Sequence, residues 1–212
     1  MNGALQLVIG AVVGYLLGMI PTGAIVARRF GLDLRQVGSG STGATNVLRT
    51  LGKKWAALVA LVDLLKGAVA VLLVGLILGG APRGEATVAQ VVAAAFAVLG
   101  HTYSPLLGFR GGRGIITGGG GVLVLAPLAF FASLIGGVVA IVIWRYVSLG
   151  SIVGAVIAGT MVVWYAWTGA APPVFYFYGT LVPAFVIATH RGNIQRLLSG
   201  TERKLSIGPS ER

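Results

Sequence analysis

Long apolar runs, almost free of charge, dominate this chain and leave it little choice of solvent. They recur from residue 3 to residue 189, separated by short basic clusters, and several reach the roughly 20 residues a helix needs to cross a bilayer. Only 10% of the residues are charged and 56% are hydrophobic, whereas soluble domains carry about 25% charged residues. The expectation is an all-α polytopic membrane protein, a single integral membrane domain over residues 1–212 with no separate soluble part.

The 16 basic residues lie between the apolar runs, so the net charge of +11 points to membrane topology and not to nucleic acid. The first run, from about Gly3 to Ala27, has no basic residue before Arg28 and is too long for a signal-peptide core, so it reads as a retained span. A basic segment follows through Arg35, Arg49, Lys53 and Lys54, which the positive-inside rule places in the cytoplasm. A second run from Trp55 to Gly80 leads to an outer loop with Pro82, Arg83 and Glu85. A third from Thr87 to Gly100 returns to His101 and the Arg110–Arg113 cluster.

Between Arg113 and Arg145 an even number of crossings is needed if both ends are cytoplasmic, and Pro127 divides this stretch near its middle. Two short helices are expected, about Gly114 to Ala126 and Leu128 to Trp144; a re-entrant hairpin satisfies the same parity. Spans from Gly150 to Trp167 and from Val174 to Thr189 complete about seven transmembrane helices, N-terminus out and C-terminus in, with a basic tail from Arg191 to Arg212. This arrangement puts 14 of the 16 Lys and Arg residues inside, leaving Lys66 within a span and Arg83 outside.

Three polar segments share the cytoplasmic side. Gly38 to Arg49, G-S-G-S-T-G-A-T-N-V-L-R, interleaves glycines with hydroxyl residues and ends on Arg49. Converging backbone N–H groups, neutral donors from Ser39, Ser41, Thr42, Thr45 and Asn46, and a bidentate guanidinium suit a phosphate; a flexible linker is the plainer reading. His101 to Gly114 carries the cluster Arg110, Gly111, Gly112, Arg113, Gly114 just before an expected helix start, which makes it a second anion site or a lipid-headgroup contact. His190 to Arg203, with Arg191, Asn193, Arg196 and Glu202, reads alone as a juxtamembrane basic helix.

Asp63 and Lys66 stand i, i+3 inside the second span, either as a mutually satisfied buried pair or with Lys66 reaching toward a phosphate. Four consecutive glycines, Gly118 to Gly121, require close approach of an acyl chain or of another backbone. The chain has no cysteine, and its two histidines and five acidic residues lack ligand spacing, so neither a metal site nor a cofactor is expected.

Together these segments resemble the PlsY family of bacterial acyl-phosphate glycerol-3-phosphate acyltransferases, integral membrane enzymes that begin phospholipid synthesis. The similarity rests on Tyr15–Gly23, Gly38–Arg49, the D-L-L-K-G of Asp63–Gly67, His101–Gly114 and His190–Glu202, in order along nearly the whole chain. Ser41 stands where the family commonly has Asn, and Arg113 where it usually has Lys. The resemblance implies attack of the glycerol-3-phosphate 1-hydroxyl on a fatty acyl phosphate at the inner membrane's cytoplasmic face, giving lysophosphatidate and phosphate.

The resemblance also implies roles for individual residues. Gly111, Gly112, Arg113 and Gly114 would hold the acyl-phosphate headgroup, with the tail among the helices and membrane lipid around them. Ser39, Arg49, His190 and Asn193 would hold glycerol-3-phosphate, with Lys66 an electrostatic helper and Gly38, Gly40, Asn46, Arg191 and Glu202 completing the binding set. His101 or His190 would serve as general base unless the substrate phosphate takes the proton. A membrane transporter of an organic phosphate or other anion is the alternative reading of the same loops.

Overall fold

The structure, a computed structural model, describes residues 2–79 and 83–205. Every regular element among them is helical: α1 (Gly3–Gly18), α2 (Thr22–Arg28), α3 (Ala44–Leu51), α4 (Lys53–Ile77), α5 (Arg83–Thr102), α6 (Ile115–Leu125), α7 (Pro127–Trp144), α8 (Val147–Trp167), α9 (Val174–Thr189) and α10 (Arg191–Leu198), with a 3-10 turn at Pro105–Leu107. Five segments are long and apolar enough to span a membrane, counting Gly3–Arg28 as one, and α6 and α9 are shorter apolar helices. Large side chains such as Leu72, Leu76, Ile135 and Val142 point outward, as they must where lipid replaces water. The tip of the expected outer loop around Pro82 and the tail beyond Leu205 lie outside the described residues.

The first run differs from the expected unbroken span. Pro21 has no N–H to continue the helix, so the chain breaks between Gly18 and Thr22 and leaves carbonyls without intrahelical partners. Both are taken by side chains from elsewhere: Ser104 Oγ donates to the Met19 carbonyl at 2.7 Å and Lys66 Nζ to the Ile20 carbonyl at 3.0 Å. The first polar segment is likewise not loop throughout. Val47, Leu48 and Leu51 share a face that packs with Val26, Leu34 and Val59, and this winds Ala44–Leu51 into α3.

The division at Pro127 is as expected. Ala126 adopts φ −150°, ψ 72°, and Pro127 opens α7. Helix α8 begins at Val147, three residues earlier than hydropathy suggests, because Arg145 in the left-handed region (φ 63°) reverses the chain in two residues.

Small residues set the helix spacing. Gly10, Gly14 and Gly18 of α1 lie against the backbone of Ala89, Ala93 and Ala97 on α5, so closely that a Cβ at any of them would overlap a carbonyl oxygen. Gly67 of α4 abuts Thr117 of α6, and Gly120 returns the contact at Leu64. The Gly118–Gly121 string thus serves the close approach of other helices, one of its two expected purposes. Gly120 and Gly121 admit α4, α5 and α9, while Gly119 faces an open cavity.

Gly14→Val should therefore force α1 from α5 and cost about 1–3 kcal/mol. Thermal unfolding in detergent, compared with Gly3→Ala, where a Cβ meets nothing, measures it.

Candidate active site

The site is assembled around helix beginnings. Residues Gly43–Asn46 at the start of α3, Gly114–Ile116 at the start of α6, Val147 and Ser148 at the start of α8, and His190 and Asn193 around the start of α10 all line one small polar pocket. The first N–H groups of a helix have no carbonyl one turn earlier to bond and carry the positive end of its dipole, so four such ends make an anion site. Arg49 and Arg113 add full charges. The pocket is recessed: Asp63, which also lines it, lies ten residues into α4, about 15 Å from that helix's start. This recess accounts for the shortness of α6.

Asn46 organises the first loop. Its Nδ2 donates to the carbonyls of Leu34, Val37 and Ser41 at 3.1, 3.0 and 2.9 Å, and its Oδ1 accepts from the Ser39 N–H at 3.0 Å. Gly38 and Gly40 take left-handed φ of 62° and 71°, and a Cβ on Gly38 would overlap Asn46 Oδ1. These three residues, expected to bind substrate, instead shape the loop that presents Ser39: Gly38 and Gly40 do not line the pocket, and the Asn46 amide is fully used.

The second segment also departs from expectation. The N–H groups of Gly111 and Gly112 do not face a ligand; they donate to the carbonyls of Thr102 and His101 at 2.9 and 3.2 Å. Their lack of side chains lets the loop lie on His101, since a Cβ would strike the His101 carbonyl or ring. Arg113 and Gly114 do line the pocket, and Thr189 Oγ1 donates to the Arg113 carbonyl at 3.0 Å, tying the loop to α9. Of this segment it is Arg113, Gly114 and the first turn of α6 that face the pocket, and not the N–H groups of Gly111 and Gly112.

Lys66 does not reach a phosphate. Its ammonium pairs with Asp63 Oδ1 at 2.8 Å and hydrogen-bonds the Ile20 carbonyl at 3.0 Å and His101 Nδ1 at 2.8 Å, which holds it within the bundle. His101 must then accept at Nδ1 and carry its proton on Nε2, so it lines the pocket without a lone pair to offer. His190 is arranged the other way. Its Nδ1 donates to the Val186 carbonyl at 2.8 Å, leaving Nε2 for a ligand, and burial lowers its pKa from the ordinary value, favouring the neutral ring.

In the third segment Glu202 accepts from Ser148 Oγ at 3.0 Å, Asn193 Nδ2 at 2.7 Å and Arg196 Nε at 2.7 Å. Burial raises the Glu202 pKa, but these hydrogen bonds outweigh it and hold the carboxyl below its ordinary value. Glu202 thus fixes Asn193 and the start of α8, an indirect part in binding. Arg191 is exposed and lies off the pocket. Burial lowers the pKa of Arg49 and Arg113 from the ordinary guanidinium value, with Glu202 opposing this in each case.

The sequence reading missed Val147, Ser148 and Ser151. The available signal was two serines spaced i, i+3 at the head of an otherwise apolar run.

Below the polar pocket lies an apolar cavity of about 480 Å³ among α4, α6, α7, α8 and α9. The two share Thr45, Ile115, Ile116, Val147 and Ser151 as lining, so a polar pocket and an apolar cavity adjoin along these residues.

Residues 8–200 match the family described as glycerol-3-phosphate acyltransferase. Relatives include glycerol-3-phosphate acyltransferase 3 of Dehalococcoides mccartyi, 42% identical over 95% of this chain and 96% of its own length. Another is a glycerol-3-phosphate acyltransferase of a Synechococcus species, 46% identical over 91% of each chain. The structure also resembles crystal structures of PlsY (YgiH), an integral membrane glycerol 3-phosphate acyltransferase. Its glycerol 3-phosphate form aligns with a TM-score of 0.83 at 35% identity over 94% of this chain and 96% of that one. Its lysophosphatidic acid form aligns with a TM-score of 0.81 at 33% identity over 94% and 95%.

Removing the Asn46 amide by Asn46→Ala should leave buried loop carbonyls unsatisfied and cost about 1–3 kcal/mol in detergent unfolding. Because the folded-state pKa of Glu202 is depressed, its contribution is present above its unfolded pKa, near 4.5, and disappears as pH falls through the lower folded value. Thermal stability of the native chain should consequently drop more steeply below about pH 4.5 than that of Glu202→Gln.

Proposed function

The chain belongs to the glycerol-3-phosphate acyltransferase family, and from that premise we propose that its two-part site binds glycerol-3-phosphate beside a fatty acyl phosphate. It is an integral membrane acyltransferase acting on glycerol-3-phosphate. The observation that carries the donor reading is that the polar pocket adjoins the apolar cavity along Ile115, Ile116 and Val147, which suits an amphiphile with an anionic head. Family membership displaces the transporter reading of the same loops.

In this scheme Arg113 and the first turn of α6 hold the acyl-phosphate headgroup, and the tail descends into the cavity. Ser39, Arg49, His190 and Asn193 hold glycerol-3-phosphate across the pocket. The 1-hydroxyl oxygen attacks the acyl carbonyl carbon, a C–O ester bond forms, and the bond from that carbon to the phosphate oxygen breaks. Phosphate leaves with the electron pair and takes the hydroxyl proton, so the products are lysophosphatidate and hydrogen phosphate. Negative charge developing on the carbonyl oxygen and the leaving phosphate faces helix N-termini and two guanidinium groups, and catalysis comes from positioning and charge stabilisation. Lys66 and His101 position the Arg113 loop. The phospholipid tail products remain in the membrane that surrounds the bundle.

Seven crossings with the N-terminus outside and the C-terminus inside put this pocket on the cytoplasmic side of the bacterial plasma membrane. The supporting feature is charge: Arg28, Arg29, Lys53, Lys54 and Arg145 sit at helix ends flanking the site.

Purified protein in detergent, given glycerol-3-phosphate and palmitoyl phosphate, should release phosphate only when both are present. Activity with acyl-CoA or acyl-carrier protein as the better donor would sink the donor assignment. His190→Gln should lower kcat by about 10²-fold or less, as expected of positioning; near-complete loss would make His190 the base.

A further inference from the structure

The cavity below the polar pocket has a floor. Along α8 the lining runs from Val147 to Val162, about 22 Å. At the deep end Val122, Phe130, Val162 and Tyr178 come together, and three of them, Val122, Val162 and Tyr178, belong to a buried hydrophobic cluster that seals the bundle. Tyr178 is only 3% exposed, yet its hydroxyl has no hydrogen-bond partner among the described residues. A phenol in such a place ordinarily finds an acceptor. The hydroxyl is instead sealed in beside Gly121, which does not line the cavity, so Tyr178 closes the deep end by its bulk and not by a free donor.

Higher up, one wall position is bare for no packing reason. Where other glycines of the bundle press on a neighbouring backbone, a Cβ on Gly119 would meet only the side chains of Phe130 and Leu64, at 3.5 and 3.8 Å, an ordinary contact distance. Helix packing therefore does not demand glycine at 119. The space it keeps open is cavity, one turn below the α6 start where the acyl carbonyl would sit.

We propose that Gly119 and Tyr178 are specificity residues for the acyl chain: Gly119 keeps the channel wide enough for a long tail, and the bulk of Tyr178 at the floor sets how long that tail is. This rests on the acyl-phosphate reading above. A tail that stops short of the floor leaves the deep end unfilled. A tail whose methyl end reaches the floor fills it, and a further methylene overlaps the Tyr178 side chain. The competing arrangement is a tail that leaves sideways into the bilayer between α4 and α7, past Leu61 and Val138, which line the cavity and are 53% and 48% exposed.

The test compares kcat/KM for decanoyl, palmitoyl and stearoyl phosphate at saturating glycerol-3-phosphate. Gly119→Leu should lower palmitoyl relative to decanoyl phosphate by about tenfold or more, and Tyr178→Ala should raise stearoyl relative to palmitoyl phosphate by about tenfold. Tyr178→Phe, which removes only the buried hydroxyl and keeps the ring, should leave that second ratio unchanged. The KM for glycerol-3-phosphate should stay unchanged in all three. Retained turnover of decanoyl phosphate shows that a variant is folded; if Tyr178→Ala lacks it, Gly119→Leu decides. Chain-length profiles matching the native enzyme in folded Gly119→Leu and Tyr178→Ala variants overturn the proposal while leaving the acyltransfer reading intact. Failure of the native enzyme with every acyl phosphate overturns both.

Discussion

The Lys66 ammonium is the interaction on which the rest of the site depends. A cation this deep in an apolar bundle is costly unless every donor is matched, and here each match joins a different part of the chain. Asp63 supplies the countercharge on the same helix, the Ile20 carbonyl comes from the break that Pro21 makes in the first span, and His101 comes from the end of α5. The carbonyls of His101 and Thr102 then receive Gly112 and Gly111, which brings Arg113 and the start of α6 to the pocket. One buried charge thus links a helix break that looks like a defect to the placement of Arg113 at the polar pocket, more than ninety residues away.

Around that hub the site works by division of labour between polar residues that touch the pocket and those that hold others in place. Asn46 and Glu202 are the clearest holders. Each is buried, each has its hydrogen-bonding capacity taken by protein groups, and each fixes a neighbour, Ser39 or Asn193. Glycines divide in the same way. Most of those within the helices let two backbones approach, whereas Gly119 leaves volume for something that is not protein.

The geometry also shows how a small protein sets a charged pocket beside an apolar cavity. Helix N-termini offer positive potential without side-chain entropy, and they occur where a helix begins inside the bundle. Starting α6 at the level of Asp63 and cutting it to Ile115–Leu125 places its N-terminus beside Arg113 and its glycine-rich body beside the apolar cavity. The same short helix therefore borders both the polar pocket and the apolar cavity.

Much was legible from residues alone. Hydropathy and proline placement located the spans, and the division at Pro127 follows from the missing N–H, a local property. The three polar segments and Asp63 with Lys66 were visible because charge and glycine clusters are rare in apolar chains. What each polar residue does was not visible, because a hydrogen-bonding group is defined by its partner, and the partners are distant in sequence: Lys66 with Ile20 and His101, Ser148 with Glu202. The sequence by itself determined that this chain crosses a membrane, that its helices divide at Pro127 and which family it resembles. Only the tertiary structure decided that Lys66, Asn46, Gly111 and Gly112 support the site while the start of α8 belongs to it, since burial and donor satisfaction exist only once the helices have packed.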